Sequence, residues 1–212
     1  TDSLAQRDTG WIQLYCETNQ EVLDTILMAF RLAETTYLPV MVVYDAFILS
    51  HTYEPVEIPD ISEVDKFLPP FKPKYKLDTS APMTFNPLCA PDNYMEFRHI
   101  MEKAHREAIS AYNDVAKNFE KKFGRTNDIV EMIDADDADI VLLTSGSMTS
   151  TARVAVKQLR ERGEKVGICK IRMFRPFPFD ALREAAGNIS GGRKIKKIAV
   201  LDRNISHGCG GI

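Results

Sequence analysis

Two side chains that can exchange protons follow a short apolar run in the first quarter of the chain. Asp45 comes directly after the run at residues 40–44, and His51 lies six residues further on. A carboxylate and an imidazole at the end of a buried strand could act as general acid and base. The same residues also fit a purely structural loop, because Asp commonly closes or caps such turns. The structural interpretation is the stronger one, since two residues of a loop have no fixed relative geometry.

A second candidate is the turn TSGS at residues 144–147, which is predicted to follow a strand and begin a helix. Backbone amides at such a helix start can hold a phosphate. The turn lacks the second glycine and the lysine of a P-loop, and it lacks the spacing of a dinucleotide fingerprint. Any tight strand-to-helix connection needs small residues, so the structural interpretation is again favoured.

The metal-ligating residue types form no convincing site. One set of carboxylates lacks the glycine-hinged spacing of a calcium loop and is better interpreted as a solvated connection, namely Asp134, Asp136, Asp137 and Asp139. The cysteines lie far apart, with no CxxC pair for zinc or an iron–sulfur cluster: Cys16, Cys89, Cys169 and Cys209. His207 and Cys209 are a conceivable ligand pair, although a turn is their more usual role. We predict that the chain binds no metal by itself.

Arg7, Asp8 and Thr9 precede a turn at residues 10–11. Arg7 could fix a carboxylate or phosphate through two parallel hydrogen bonds. Alternatively, Arg7 and Asp8 form a structural ion pair that holds the loop, and the sequence does not decide between the two. We expect this segment to lie on the same carboxyl edge of a parallel sheet as Asp45, where such sheets bind their ligands.

The first third of the chain predicts a helix, a strand and an extended segment. Thr18 and Glu21 have the spacing of a capping box, and apolar residues at helical intervals then predict a helix over residues 19–34. The run at residues 40–44 predicts a strand that is buried on both faces of a parallel sheet. Eight of the eleven prolines lie in residues 55–91, so this segment can form neither a long helix nor a central strand. We expect it to dock on a neighbouring domain or subunit through its apolar side chains: Phe67, Leu68, Phe71, Tyr75, Phe85 and Leu88.

The rest of the chain predicts a long helix and then a second α/β unit. One apolar stripe runs from Phe97 to Phe119, and Gly124 ends the helix. The α/β unit is predicted as alternating strands and helices at residues 140–143, 149–162, 166–171, 179–186 and 198–201. We expect this unit and the earlier one to be separately compact.

The composition is that of a globular protein. Hydrophobic residues make up 44% of the chain, and the net charge of -3 argues against a nucleic-acid or anionic membrane partner. No run approaches the roughly 18 apolar residues of a spanning helix, and no targeting signal is visible, so we expect a cytoplasmic protein. Because the chain opens on Thr1 rather than Met and closes on a glycine-rich turn, we also expect an interior fragment of a longer protein.

Three ordered blocks resemble one enzyme family. The first is RDTGW at residues 7–11 together with DAFILSH at residues 45–51, and the others are KIRMFRPFP at residues 170–178 and VLDRNIS at residues 200–206. In this order they resemble the alpha subunit of pyruvate:ferredoxin oxidoreductase (pyruvate synthase) and other 2-oxoacid:ferredoxin oxidoreductases. The resemblance spans nearly the whole chain, although the alpha subunit of that family is much longer.

The resemblance implies an α/β fold in three parts. Residues 1–58 would be the C-terminal half of the pyrimidine-binding-type domain of thiamine enzymes. Residues 59–135 would be a proline-rich linker with a long helix. Residues 136–212 would be an incomplete, doubly wound α/β domain similar to the transketolase C-terminal domain.

The resemblance also implies a function. The enzyme would convert a 2-oxoacid by oxidative decarboxylation to acyl-CoA and carbon dioxide, or catalyse the reverse reaction. Pyruvate is the first candidate for the 2-oxoacid. Thiamine diphosphate and Mg²⁺ would lie at the interface with a beta subunit. Gamma and delta subunits would complete a complex whose partner chains carry iron–sulfur clusters and which uses CoA and ferredoxin. This chain alone would bind none of these cofactors and would hold no complete catalytic site, but Asp2, Arg7 and Thr9 would border the cofactor.

Two alternatives stay open. One is a non-catalytic scaffold that holds partner subunits in register. The other is a relative that acts on a different 2-oxoacid, such as 2-oxoglutarate, a branched 2-oxoacid or oxalate. In the family the substrate is recognised upstream of the segment that begins at Thr1, so the sequence before Thr1 would discriminate between them.

Overall fold

A computed structural model of the chain describes residues 2–86, 88–188 and 195–211. Helices and strands are interspersed along it in an α/β arrangement. Their order is α1 (Asp2–Ala5), β1 (Ile12–Tyr15), α2 (Asn19–Thr36), β2 (Val40–Val43), α3 (Ile61–Phe67), α4 (Tyr94–Phe123), β3 (Val130–Ile133), β4 (Ile140–Thr144), α5 (Met148–Glu161), β5 (Val166–Ile171), β6 (Met173–Arg175), α6 (Phe179–Asn188) and β7 (Lys197–Val200).

The first sheet has the strand order β2-β1-β6. Strands β1 and β2 are parallel, with Ile12 opposite Val40, and α2 connects them. Strand β6 lies antiparallel on the other side of β1, with Met173 opposite Leu14. The predicted helix at residues 19–34 is confirmed as α2. Its N-cap Thr18 accepts a hydrogen bond from the Glu21 backbone N at 3.2 Å.

The second sheet has the order β3-β5-β4-β7. Strand β4 is parallel to both β5 and β7, whereas β3 pairs antiparallel with β5. The three predicted strands at residues 140–143, 166–171 and 198–201 are confirmed as β4, β5 and β7, and the predicted helices between them as α5 and α6. The edge strand β3 was not predicted.

One continuous stretch of backbone joins the two sheets. Strand β5 ends at Ile171 in the second sheet, and β6 begins at Met173 in the first. Arg172 lies between them, where its backbone N donates to the Ile129 carbonyl oxygen at 2.9 Å and its carbonyl oxygen accepts from Tyr15 N at 2.8 Å. The prediction of two separately compact units is therefore wrong, because a strand of the second half completes the first sheet.

The largest core lies between the first sheet and the 30-residue helix α4. Helix α4 turns one apolar face inward because its apolar residues recur at helical intervals. Strands β1 and β6, helices α2 and α3 and the segment before β3 complete this core, whose buried members include Leu14, Met28, Phe67, Tyr112, Phe119, Ile129 and Met173. Both halves of the chain thus contribute to a single core. The domain boundaries near residues 58 and 135 stay a prediction.

The proline-rich segment partly packs on this same core. Its one helix among the described residues is α3, in keeping with the prediction that no long helix forms there. Phe67 is 6% exposed and its ring lies 5.5 Å from that of Phe119. Further along, Phe71 and Tyr75 approach the ring of Tyr37. These contacts are intramolecular, and docking of the remaining apolar side chains on a partner stays a prediction.

Strand β2 differs from its prediction in burial. All four of its residues are only half-buried, whereas a strand covered on both faces was expected. The physical reason is its position, since β2 is an edge strand of its sheet and α2 packs against one side of it. None of the helices in the described ranges combines the length and the hydropathy that a membrane-spanning helix requires.

Because Met173 is fully buried in the shared core, we predict that Met173→Ala lowers the free energy of unfolding by about 2–5 kcal/mol. The same substitution at Met95, which is 79% exposed on α4, is the matched control and should change it by less than about 0.5 kcal/mol. Urea unfolding measures the free energy of unfolding of both variants, and amide hydrogen exchange shows which strands are affected. Faster exchange confined to the second sheet, with β1 unaffected, would contradict the shared core.

Candidate functional site

The carboxyl end of β2 is tied to the second sheet through Asp45. One carboxylate oxygen, Oδ2, accepts hydrogen bonds from the backbone N of Ser147 at 3.1 Å and from its hydroxyl, and Oδ1 accepts from Arg203. Burial alone would raise the pKa of Asp45, but the hydrogen bonds from Ser147 and Arg203 outweigh it and lower that pKa below its usual value. Asp45 is therefore an ionised structural group, as the loop interpretation predicted.

The same contact explains the turn at residues 144–147. Gly146 has φ +68°, and a Cβ there would lie 3.3 Å from Asp45 Oδ2. The Asp45 carboxylate takes the place at the start of α5 where a phosphate could otherwise bind. His51 belongs to a different set of contacts, since its ring stacks on Phe47 at 4.5 Å and its Nδ1 lies 2.7 Å from Ser50 Oγ.

Six charged side chains meet where the two sheets adjoin. We call them the buried charge cluster. Glu17 follows β1, Glu21 lies in the first turn of α2, and Glu131 lies on β3. The positive members come from α5, from β5 and from the residue between β5 and β6, namely Arg153, Lys170 and Arg172.

Lys170 is the centre of this cluster. Its Nζ lies 2.7 Å from Glu17 Oε2 and 3.4 Å from Glu131 Oε2, and it also contacts Glu21 Oε1. The side chain is 1% exposed. A buried ammonium group needs such partners, because leaving water without them costs several kcal/mol.

Arg172 reaches the same carboxylates from the junction of the strands. Its Nη2 lies 2.5 Å from Glu21 Oε1 and 3.4 Å from Glu131 Oε2, and its Nη1 donates to the Asp128 carbonyl oxygen. Glu21 also accepts from the backbone N of Glu17 at 2.5 Å. The residue that was expected only to cap α2 therefore also fixes the junction between the sheets.

Arg153 closes the cluster from helix α5. It donates to Glu17 through Nε at 2.7 Å and through Nη2 at 3.1 Å, which is a bidentate pair. The same Nη2 lies 2.9 Å from Glu131 Oε1, and Ser150 Oγ donates to Glu17 at 3.0 Å. Helix α5 is thus attached to both sheets by charge.

The carboxylates of the cluster are held in the ionised form. Burial by itself would raise the pKa of Glu17, but hydrogen bonds from Arg153 and Lys170 outweigh it and lower the pKa to about 2. The positive charges of Arg172 and Lys170 likewise lower the pKa of Glu21. Three carboxylates face three cations, so the cluster is neutral as a whole.

Neither the buried charge cluster nor the start of α5 has room for a metal ion or a diphosphate. The carboxylate oxygens of Glu17, Glu21 and Glu131 lie within 4.8 Å of one another, which is close enough to share a cation. Lys170 and Arg172 already fill that space with positive charge. Because Asp45 likewise fills the start of α5, neither place fits the diphosphate and Mg²⁺ of thiamine diphosphate.

The predicted cofactor-edge residues are separated by the structure. Asp2 lies beside the carboxyl end of β2, where it lines a small hollow with Tyr44. Arg7 and Thr9 come shortly before β1, and Arg7 lines a cleft with Arg175, which is opposite Gln13 near the start of that strand. Both therefore lie at the amino end of β1, so their predicted place on the edge of Asp45 is wrong. The error came from missing β1, which separates them from α2. The Nε of Arg7 lies 3.6 Å from Asp8 Oδ2, in keeping with the structural ion pair that was the alternative.

The acidic connection and the cysteines behave as structural features. Asp137 pairs with Arg160, and Asp139 lies 3.1 Å from the Lys196 amino group. Cys16 and Cys169 are buried, and burial raises the pKa of their thiols to about 12 and about 11. Thiols with such pKa values are poor nucleophiles near neutral pH.

Sequence reasoning missed the buried charge cluster. A signal was present, since Lys170 near the end of an apolar strand and Arg172 just after it stand at alternate positions, which places both side chains on one face of an extended chain. Their partners could not be identified, because Glu17 and Glu21 lie about 150 residues earlier in the chain, as the separations of 153 and 149 residues from Lys170 show.

We predict that Lys170→Met lowers the free energy of unfolding by about 3–5 kcal/mol, because it leaves Glu17 and Glu21 buried without their cation. The matched control is Lys103→Met on α4, whose side chain is 69% exposed and lies 3.8 Å from Glu107. That variant should change the same quantity by less than about 0.5 kcal/mol. Equal effects of the two substitutions in urea unfolding would rule out a stabilising role for the cluster.

The cluster also predicts how stability depends on pH. The pKa of Glu17 is about 2 in the folded protein and has the ordinary value of a glutamate in the unfolded chain. At a pH between these two values, the unfolded chain therefore binds more protons than the folded protein. Stability should therefore be complete above about pH 5 and should fall as the pH drops toward about 2. In Glu17→Gln the fall should be shallower, whereas Glu34→Gln on α2 should follow the wild type. Parallel curves for all three proteins would contradict the assignment.

Comparisons with known proteins agree with this architecture. Residues 1–117 match the family model described as pyruvate flavodoxin/ferredoxin oxidoreductase, thiamine diphosphate-binding, and residues 138–212 match that of pyruvate:ferredoxin oxidoreductase core domain II. The ketoisovalerate oxidoreductase subunit VorA of Pyrococcus abyssi is 50% identical over 214 residues, which cover 100% of this chain and 53% of VorA.

Two pyruvate synthase subunits are also similar. PorA of Methanothermobacter thermautotrophicus is 42% identical over 212 residues, covering 99% of this chain and 54% of PorA. PorA of Pyrococcus abyssi is 45% identical over 210 residues, covering 98% of this chain and 52% of PorA. The chain thus spans about half the length of these curated relatives. It belongs to the pyruvate flavodoxin/ferredoxin oxidoreductase family, whose thiamine diphosphate-binding domain matches its first 117 residues.

Proposed function

We propose that the protein is an alpha-type subunit of a thiamine diphosphate-dependent 2-oxoacid:ferredoxin oxidoreductase. The observation that carries this proposal is the ordered match of both halves of the chain to domains of the same enzyme. The complex would cleave a 2-oxoacid oxidatively to acyl-CoA and carbon dioxide, or run in reverse, and would pass electrons to ferredoxin. Beta, gamma and delta subunits would be its partners.

In this proposal, the chain contributes one wall of a site shared between subunits. The cluster carboxylates are neutralised by Lys170 and Arg172, and the start of α5 is occupied by Asp45. This supports a division of labour in which a beta subunit holds the diphosphate and Mg²⁺ of the cofactor. Iron–sulfur clusters would likewise belong to partner subunits. What the chain supplies is a rigid edge at the ends of β1 and β2.

The substrate is proposed at the level of the 2-oxoacid class, with pyruvate as the first candidate. The second candidate is ketoisovalerate, a branched 2-oxoacid, since VorA is 50% identical and the two PorA proteins are 42% and 45% identical. These identities are close enough that only a measurement of both acids separates the candidates.

Among the proposed cofactor-edge residues, Asp2 has the most suitable position. It lies by the carboxyl end of β2, which is the edge where parallel α/β sheets bind their ligands. Arg7 and Thr9 lie at the other end of β1, and Thr9 Oγ1 donates to the Gln6 carbonyl oxygen at 2.7 Å. Roles for Arg7 and Thr9 at the cofactor therefore require that a different part of the complex approach that end.

The function is tested on the full-length protein purified with its partner subunits. We expect CoA- and thiamine diphosphate-dependent reduction of ferredoxin with pyruvate or ketoisovalerate, and the ratio of kcat/KM values identifies the preferred acid. Asp2→Asn should lower kcat/KM at least about tenfold if Asp2 borders the reacting groups. Its matched control, Asp8→Asn, removes a carboxylate at the other end of β1 and should retain activity. A complex that assembles but turns over no 2-oxoacid would favour the scaffold alternative.

A further inference from the structure

A large cleft lies at the amino end of β1, away from the edge that carries Asp45. Its volume is about 1020 Å³, and its walls are the segment before β1, the first half of α4 and the segment from β6 into α6. Pockets of this size are large enough for a nucleotide-sized ligand. Of the candidate cofactor-edge residues Asp2, Arg7 and Thr9, only Arg7 is among the residues that line this cleft.

The cleft is rich in arginine, although the chain as a whole carries a net charge of -3. Five arginines line it, namely Arg7, Arg98, Arg106, Arg175 and Arg183. Only three carboxylates accompany them, and each is matched to one arginine: Asp8 to Arg7 at 3.6 Å, Glu102 to Arg106 at 2.7 Å, and Asp180 to Arg183 at 3.1 Å. Arg98 and Arg175 therefore carry the local excess of positive charge.

Within the described part of the chain, neither of those two arginines has a carboxylate at ion-pair distance. Across the described ranges 2–86, 88–188 and 195–211, no ion pair involves Arg98 or Arg175, whereas the other three arginines of the cleft are paired. Arg98 is exposed on the second turn of α4. Guanidinium groups in this state can bind phosphate oxygens through two parallel hydrogen bonds.

Arg175 is the more constrained of the two. It is half-buried, its guanidinium lies 4.6 Å from the centre of the Phe174 ring, and its Nη1 donates to the Phe174 carbonyl oxygen at 2.9 Å. Burial lowers the pKa of Arg175 and the positive charge of Arg7 acts in the same direction, whereas the Asp8 carboxylate opposes them without restoring the usual value. An anion placed in the cleft would relieve both effects, because it would add to the partial counter-charge that Asp8 supplies.

An aromatic wall adjoins these arginines. The rings of Phe174 and Phe177 are 6.2 Å apart, and those of Phe177 and Phe179 are 4.8 Å apart. Phe179 is 61% exposed and lines the cleft. An exposed ring of this kind can stack with a planar base, which is the usual way in which proteins bind nucleobases without sequence preference.

We propose that this cleft binds a nucleoside phosphate, with the phosphate groups between Arg98 and Arg175 and the base on the ring of Phe179. The proposal requires that the ligand contain both a phosphate group and a planar base. The arginines account for an anion, and the aromatic wall accounts for a planar ring next to it.

The test uses the full-length protein together with its partner subunits, saturated with thiamine diphosphate so that its diphosphate site is not the one titrated. ADP and inorganic pyrophosphate are titrated by calorimetry, and no turnover is needed, so the result is independent of the proposed enzymatic activity. We expect ADP to bind to the wild type and to bind more tightly than pyrophosphate.

Arg175→Gln and Arg98→Gln should each weaken ADP binding at least tenfold. The matched control is Arg162→Gln, which removes an exposed arginine at the C-terminal end of α5 and should leave the affinity unchanged. Because Arg98 lies on an exposed helix surface, its variant also tests the site if Arg175→Gln folds poorly. Absence of ADP binding, or equal affinity in the wild type and both cleft variants, would overturn the proposal. Equal affinities for ADP and pyrophosphate would overturn the role of Phe179.

Discussion

The relative placement of the two sheets depends on the charge pairing around Lys170. Taking an ammonium group and a guanidinium group out of water is costly, and only close contact with carboxylates in the same low-dielectric place offsets that cost. The carboxylates come from the segment after β1, from α2 and from β3, whereas the cations come from α5, from β5 and from the residue between β5 and β6. A different angle between the sheets would leave charges buried without partners, so the cluster selects one arrangement.

Backbone continuity reinforces this selection. Strand β5 passes through Arg172 into β6, and the backbone of Arg172 is hydrogen-bonded to both sheets. The Asp45 contacts with Ser147 and Arg203 add a second link between the sheets, at the ends of β2, β4 and β7. In the proposed enzyme, this double link keeps the carboxyl edge of the first sheet rigid. A site that is completed by another subunit benefits from such rigidity, because an error of even 1 Å in the wall would be passed on to the bound groups.

Local patterns were sufficient for the elements whose signals are contained within a few residues. The strand at residues 166–171 is a continuous apolar run broken only by Lys170, and the long helix α4 has an unbroken apolar stripe that ends at Gly124. Strand β1 was missed because its four residues include the polar Gln13, which is fully buried in the structure. Strand β6 was missed because three residues before a proline carry no periodic signal. Each of these short strands is stabilised by pairing with the other, across about 160 residues of chain, as the Leu14–Met173 register shows.

The site was predictable in its parts and not in its assembly. The structural roles of Asp45 and of the turn at residues 144–147 followed from turn chemistry alone. The position of Arg7 did not, since it depended on whether a strand lies between Arg7 and α2. The buried charge cluster combines side chains from four separate elements and two connecting residues, and no spacing rule relates them. Only the three-dimensional fold brings them within ion-pair distance.

The neutrality of the buried charge cluster has a consequence for how this sequence can diverge. Replacing one of its six members changes the charge balance of all the others, so the effect of a substitution at Glu17 depends on which residue is present at Lys170 or Arg153. Substitutions here are epistatic, and an exchange that is harmful alone becomes acceptable when a partner changes with it. We therefore expect the six positions to vary as a group among homologous proteins, with charge reversals occurring in opposite-sign pairs, while isolated substitutions are removed by selection.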